Sequence, residues 1–323
     1  MLSGLLVLFC VMMVLGTWLV VKAVGNFTFR LTAKGKFTVA AILLVTASSL
    51  PELFVVLAAL ISGRVEVSLA NLLGANVADL SLVVGGAALM VGSIPIIGDY
   101  WRWELAATFL AGVAPILLMM DGSLSRVDGL ILLTIYLVYI EGLVVDGKRK
   151  SLAKMGVERP GIMSWVMHRL PQKQDWSVLK LVIGLLILAF AAYGLVGISD
   201  KFGTTTLSPV VFGLLIVSLV TTLPEFLEVF SGAVKKSTAL VLTNLLGSVV
   251  TNATLLIGLL ALLHPTKVEN ISNYSLVNLA FVIIFGLFWM FTSTKKKIER
   301  WEGLILVGLY ATFVGLVLLL PSI

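Results

Sequence analysis

The chain has 323 residues, of which 59% are hydrophobic and only 12% are charged, whereas about a quarter of a soluble globular domain is charged. Apolar stretches of roughly 20 residues, the length that crosses a bilayer as a helix, recur along it without the polar–apolar alternation of a β-barrel. The single cysteine, Cys10, excludes an internal disulfide framework and a cysteine-based metal cluster. We therefore expect an all-α polytopic membrane protein.

Ten transmembrane helices are predicted in chain order. They cover about 3–24, 37–62, 67–93, 102–120, 127–146, 178–198, 207–233, 238–263, 273–293 and 301–321. The longest polar interval follows the fifth span, so we expect a first five-helix half at 1–147, a linker at 148–177 and a second five-helix half at 178–323. Because each half has an odd number of spans, the halves would cross the membrane in opposite orientations, as in transporters built from inverted repeats.

The distribution of lysine and arginine sets the expected orientation in the cell membrane. With the amino terminus outside, 19 of the 23 basic residues fall in cytoplasmic segments, as the positive-inside rule requires. Both termini would then face outside, and the 148–177 loop would be cytoplasmic. This asymmetry also accounts for the net charge of +6. The expected partners are therefore the lipid bilayer and transported cations, with no nucleic acid and no obligatory protein partner.

A polar motif occurs once in each half, at a constant offset of 173 residues. The copies begin with Ser48-Ser49-Leu50-Pro51-Glu52 and with Thr221-Thr222-Leu223-Pro224-Glu225. One span later they continue with Asn71, Gly74 and Asp79, and with Asn244, Gly247, Ser248 and Asn252. A carboxylate within a membrane span is costly and marks a functional site by default. Its presence in both copies strengthens that interpretation.

The motif offers oxygen ligands only. A proline within a helix removes a main-chain hydrogen bond, so Pro51 and Pro224 would free carbonyl oxygens next to the two glutamates. Carboxylate, hydroxyl, amide and carbonyl oxygens suit a hard cation such as Ca²⁺ or Na⁺. The Cys and His ligands that softer metals favour are missing from both copies, and we expect no cofactor. Hydroxyls and amides can also simply hold membrane helices together, but that does not explain two glutamates without a basic neighbour.

The two copies resemble the α-repeats of the cation/Ca²⁺ exchanger superfamily, and within it the prokaryotic Na⁺/Ca²⁺ exchangers. The resemblance rests on [Ser/Thr]-[Ser/Thr]-Leu-Pro-Glu followed by Asn-x-x-Gly-[Ser/Ala], with repeats at about 43–85 and 216–258. The H⁺/Ca²⁺ branch typically has a glutamate where Gly74 and Gly247 stand here. The resemblance implies a secondary active antiporter, not an enzyme, that exchanges Ca²⁺ for Na⁺ by alternating access.

The resemblance also implies which residues bind the ions. Glu52 and Glu225 would bind both Ca²⁺ and Na⁺, and Asp79 and Asn252 would occupy the middle of the site. The remaining ligands would be carbonyls of Ser48 and Thr221 for Ca²⁺, and for Na⁺ the hydroxyls of Ser49, Thr222 and Ser248 with the carbonyls of Val45 and Ser218.

Three departures from the family pattern leave the driving ion open. Ala47 and Val220 replace the usual glycine, Ala75 replaces a serine, and the usual Asn and Asp are exchanged as Asp79 and Asn252. An H⁺-driven Ca²⁺ antiporter of the same fold is therefore the alternative. The inverted halves argue against a channel, and the lack of a nucleophile–base pair argues against an intramembrane enzyme.

Nearly all the other acidic residues fall in loops or at span ends, but one further acid, Glu228, lies inside a predicted span. Glu228 follows Glu225 by one helical turn and has no counterpart, because Val55 stands at the equivalent place. Two interpretations stay open, an acid lining a cytoplasmic vestibule and a simple interfacial acid.

Overall fold

The computed structural model describes residues 2–33, 43, 46–96, 101–149, 177–203, 207–234, 238–268, 271–295 and 297–319. These residues are overwhelmingly helical, and eight of their helices are long and apolar enough to cross a bilayer. The helical membrane fold expected from composition is confirmed. The count of ten spans and their inverted arrangement stay predictions, because much of the second predicted span lies outside the described residues.

Within the described residues, the first half contributes five main helices. They are α1 (Leu2–Ala33), α2 (Leu50–Ser62), α3 (Val65–Val91), α4 (Trp101–Leu118) and α5 (Arg126–Arg149). A turn at Ser49 precedes α2, and Pro51 lies in its first turn, where a missing amide hydrogen costs no helical bond. The helix ends at Gly63, whose φ of 72° is the left-handed conformation that glycine adopts readily at a helix C-terminus.

The second half contributes the other five described helices. They are α6 (Ser177–Gly203), α7 (Pro209–Val234), α8 (238–263), α9 (Ile271–Lys295) and α10 (Arg300–Leu319). The start of α7 is fixed by Ser208, whose side chain accepts a hydrogen bond from the Val211 amide. Such a capping bond satisfies one of the free amides of a first helical turn.

Three helices contain π-helical segments. These are Asp79–Val83 in α3, Phe212–Val217 in α7 and Thr251–Leu256 in α8. Such segments are rare and are often found at functional sites. Asp79 begins the first and Asn252 lies in the third, so the same distortion occurs at the same place in both motif copies.

Two short antiparallel pairs of strands depart from the all-α prediction. Strand β1 (Ser93–Pro95) pairs with β4 (Lys297–Glu299), and β2 (Ser123–Leu124) pairs with β3 (Thr266–Lys267). The pairs form because extended loop segments must satisfy their main-chain polar groups where they leave the helices. They tie the ends of α3 and α8 to residues of the opposite half of the sequence.

The centre of the molecule is built around α3, α7 and α8. Of the eight candidate spans, α3 and the one within α8 are the most buried, whereas most of α1 faces outward. A Cβ atom on Gly74 would lie 2.4 Å from the carbonyl oxygen of Leu214. Only glycine permits the main chains of α3 and α7 to approach this closely, which brings the two motif copies together.

Candidate cation-binding site

Three buried carboxyl groups lie near one another in the centre of the molecule. Glu52 and Asp79 are 0% exposed and Glu225 is 3% exposed. They come from α2, α3 and α7, and Asp79 and Glu225 each lie within electrostatic range of Glu52. The structure thus gathers the carboxylates of both motif copies into one cluster.

Hydroxyl groups join the two motif copies on one side of this cluster. The hydroxyl oxygens of Ser49 and Ser248 lie 3.2 Å apart, and Ser248 donates a hydrogen bond of 3.3 Å to Glu225 Oε1. Because Ser49 belongs to the first copy and Ser248 to the second, this wall of the site is shared between the halves.

Around Glu52, which belongs to the first copy, the second copy contributes a hydroxyl group. Thr221 of the second copy lies beside the Glu52 carboxyl and donates a hydrogen bond of 3.3 Å to Oδ1 of Asn71 in the first copy. Each glutamate is therefore accompanied by polar side chains of both copies.

Several buried oxygen atoms of the predicted ligands have no hydrogen-bond partner among the described residues. They are both carboxyl oxygens of Glu52 and of Asp79, Oε2 of Glu225 and the amide oxygen of Asn252. Neither ion pair formed within the described part of the chain involves these carboxyls. An unsatisfied buried polar group costs about 1–3 kcal/mol and an uncompensated buried charge costs more, so the cluster is suited to a cation or a proton.

The carboxylates could not bind a metal ion alone. Within the described ranges, no three His, Cys, Asp or Glu side chains gather closely enough for that. A cation here would also need amide, hydroxyl and main-chain oxygens, which is the mixed donor set that Ca²⁺ and similar hard ions accept.

The other described ligand candidates are also buried, but several of their hydroxyls are engaged within their own helix. Thr222 donates to the carbonyl of Leu219 at 3.2 Å, and Thr221 also donates to that of Ser218 at 3.1 Å. Ser48 and Ser218 are buried as well. Val45 lies outside the described residues.

Glu228 lines a cavity of about 320 Å³ between α1 and α7. Ser48, Glu225 and Lys22 also line it, so the cavity runs from the carboxylate cluster to a basic residue of α1. Asn244 donates a hydrogen bond of 3.2 Å to Glu228. Glu228 thus lies at a cavity, and both interpretations of its role stay predictions. The cytoplasmic position of this cavity stays a prediction.

The sequence reasoning missed two buried acids. Glu302 accepts a hydrogen bond of 2.8 Å from the Glu299 amide at the start of α10, and the second, Glu104, lies in α4. Its side chain is 0% exposed, and Thr243 of α8 donates a hydrogen bond of 3.1 Å to Oε2. The place of Glu104 as the third residue of a predicted span was the only available sign, because its burial depends on the distant α8.

A buried carboxylate cluster that two copies of one motif build inside a helical membrane protein defines a membrane transporter for cations. The chain matches the family model described as sodium/calcium exchanger protein over residues 1–145 and 176–319. It therefore belongs to the sodium/calcium exchanger family, and it is a cation/Ca²⁺ antiporter rather than an enzyme.

Comparisons with individual proteins agree with this membership. The chain is 27% identical over 285 residues to the inner membrane protein YrbG of Escherichia coli, covering 85% of this chain and 84% of YrbG. The crystal structure of the H⁺/Ca²⁺ exchanger CAX has a TM-score of 0.73 at 17% identity, covering 99% of this chain and 86% of CAX. A structure of the sodium–calcium exchanger NCX_Mj has a TM-score of 0.65 at 20% identity, covering 97% and 98%. At these identities the structural likeness establishes the fold alone.

Proposed function

We propose that the protein exchanges Ca²⁺ for Na⁺ across the cell membrane by alternating access at the buried cluster. The observation that carries the proposal is the connection of Ser49, Ser248 and Glu225 across the two motif copies. A site shared in this way closes or opens as the halves move relative to each other. Both exchanged ions are hard cations that accept its oxygen ligands.

Each ligand has a role in this proposal. Glu52 and Glu225 bind whichever ion is present, and Asp79 with Asn252 completes the middle of the site. The hydroxyl and carbonyl oxygens of the first motif segments adjust the coordination to the ion. Three carboxylates can balance one Ca²⁺ or several Na⁺ ions, with protons making up the difference.

Two glycine contacts support the inverted ten-helix architecture that alternating access requires. A Cβ on Gly85 would lie 2.7 Å from the carbonyl oxygen of Gly303, and one on Gly129 would lie 2.8 Å from that of Gly258. Adding the offset of 173 to Gly85 gives Gly258, and subtracting it from Gly303 gives the residue after Gly129. The same close contact thus recurs in the two halves with the roles of the helices exchanged.

The cavity between α1 and α7 would give one side of the membrane access to the cluster. We assign this side to the cytoplasm, because the basic residues place the carboxyl end of α7 there. Glu228 would then be the first carboxylate that a cytoplasmic cation meets.

One observation favours the H⁺-driven alternative. The Ser248 hydroxyl bonds to Ser49 and Glu225, but Ala75 stands at the equivalent place in the first half. The site therefore has fewer Na⁺ ligands around Glu52 than around Glu225. A carboxylate can carry a proton in place of Na⁺ without such ligands.

Flux measurements with two different imposed gradients decide between Na⁺ and H⁺ as the driving ion. Uptake of radiolabelled Ca²⁺ by proteoliposomes that contain the purified protein would be measured under two conditions. The first has an imposed Na⁺ gradient at equal pH, and the second has an imposed pH gradient without Na⁺. The proposal expects uptake in the first condition and little in the second, with the Glu225→Gln variant inactive in both. Uptake driven by the pH gradient alone would identify H⁺ instead of Na⁺ as the driving ion. Uptake in neither condition would contradict Ca²⁺ antiport.

A further inference from the structure

A second buried polar cluster lies apart from the predicted cation site, between α4 and α8. Glu104 and Thr108 are both 0% exposed and, four residues apart, share one face of α4. Thr243 of α8 donates to Glu104 Oε2 at 3.1 Å. Oε1 of Glu104 and the Thr108 hydroxyl have no partner among the described residues.

Among the described side chains, the helices around Glu104 offer little that could balance a negative charge. Among the described side chains of the helices packed against α4, α5 has the exposed Arg126 in its first turn, the acids Asp128 and Glu141, and Tyr136 and Tyr139, whereas α9 has Tyr274. The described side chains of α8 include no acid or base. A carboxylate in such a place costs several kcal/mol unless it is neutralised.

We propose that Glu104, Thr108 and Thr243 form a second site, one that binds a single proton. The proton resides on the Glu104 carboxyl, and the two hydroxyls complete its hydrogen bonds. A proton suits this site better than a metal ion, because one carboxyl and two hydroxyls supply fewer oxygens than the six to eight that Ca²⁺ takes.

The site is connected to the central cluster through α8. Thr243 contacts Glu104, and the next residue, Asn244, donates to Glu228 on α7 at 3.2 Å. Ser248 of the same helix reaches Glu225. Loss of the proton would leave a negative charge on Glu104 and strengthen its hydrogen bond from Thr243, which would shift the position of α8. The proton therefore regulates transport and is not itself a transported ion.

Infrared spectroscopy of the purified protein tests proton binding directly. A protonated carboxyl has its own carbonyl stretching band, and Glu104→Gln should remove one such band at neutral pH. Thr243→Val should retain the band but shift it to higher frequency, because the carbonyl loses a hydrogen bond, and Thr243→Ser should restore it. The control Glu141→Gln alters an exposed carboxyl of α5 and should leave the band unchanged.

The outcomes separate this proposal from the proposed function. An unchanged band in Glu104→Gln would show that Glu104 is not protonated, and a band insensitive to Thr243→Val would show that Thr243 is not part of the site. Either result overturns the proposal. If Glu104→Gln does not fold, the proposal is tested by the shift of the carbonyl band in Thr243→Val and by its return in Thr243→Ser. The spectra are independent of any transport activity. The regulatory role, which does rest on the proposed function, expects Glu104→Gln to flatten the pH dependence of Ca²⁺ uptake, and an unaltered pH profile would remove that role alone.

Discussion

Glu52 lies in the first turn of α2, where neither of its carboxyl oxygens has a partner among the described residues. Glu52→Gln keeps the size of the side chain and removes its charge. We expect it to abolish Ca²⁺ transport, because a charged ligand is lost from a desolvated site, while the folded protein is retained because no hydrogen bond within the described residues is broken. Radiolabelled Ca²⁺ uptake and thermal unfolding in detergent would measure the two effects.

The matched control for this variant is Glu141→Gln, which neutralises an exposed acid of α5. It should transport at the wild-type rate. Near-normal exchange by Glu52→Gln would mean that the cation does not bind where the two motif copies meet.

Ala75 is completely buried at the place that corresponds to Ser248. Ala75→Ser should raise the apparent affinity for Na⁺, because an added hydroxyl can replace a water of hydration on a small hard cation. The effect on Ca²⁺ affinity should be smaller, since glutamates dominate that site. The measurement is the Na⁺ dependence of Ca²⁺ flux, with Ser248→Ala expected to shift the curve in the opposite direction. Superimposable curves for Ala75→Ser and wild type would favour H⁺ as the driving ion.

At the residue scale, sequence reasoning could identify Glu52, Asp79 and Glu225 because an acid inside an apolar span has few explanations. It could not identify Glu104, because the burial of that side chain depends on Thr243, far away in the chain. Nor could it show that Thr222 turns its hydroxyl to a carbonyl of its own helix. Both facts are set by how helices lie against each other.

The contact of α3 with α7 rests on Gly74. Gly74→Ala would place a Cβ 2.4 Å from the carbonyl oxygen of Leu214, so the two main chains must separate. We expect a loss of stability of about 1–3 kcal/mol, the usual cost of overpacking, together with loss of transport. Gly308→Ala on α10 is the control, since a Cβ there meets nothing within 4 Å. Thermal unfolding of both variants in detergent checks this, and equal stability of the two would show that the close approach is not required.

At the scale of elements, the apolar stretches predicted most helices to within a few residues. The predicted span 127–146 corresponds to the helix Arg126–Arg149, and the predicted span 301–321 corresponds to the helix Arg300–Leu319. The π-helical segments had no sequence signature, because an i→i+5 hydrogen bond depends on the fit between neighbouring helices and not on a residue pattern. The paired strands were missed for a similar reason, since their partners are loop segments distant in sequence.

At the scale of the whole molecule, the orientation in the membrane stays a prediction. In a Cys10→Ser background, Pro160→Cys places a single thiol in the 148–177 loop. This thiol should resist a membrane-impermeant maleimide in intact cells and react after permeabilisation, because the basic residues keep the loop inside. His264→Cys, at the exposed end of α8, should react in intact cells and serves as the control. Ready labelling of the cysteine at position 160 from outside would show that the topology is the reverse of the predicted one.

The sharing of the site between Ser49 and Ser248, and between Thr221 and Asn71, has a consequence for the origin of the protein. Neither half alone contains both walls of the site, so a gene for one half would encode a chain unable to hold the ion. Under the proposed inverted topology, two copies of such a chain, inserted in opposite directions, would complete each other as a two-fold symmetric dimer. Duplication and fusion of that gene would then free the copies to diverge, as Ala75 and Ser248 have done. The two halves produced as separate polypeptides should therefore restore transport only when they are made in the same cell.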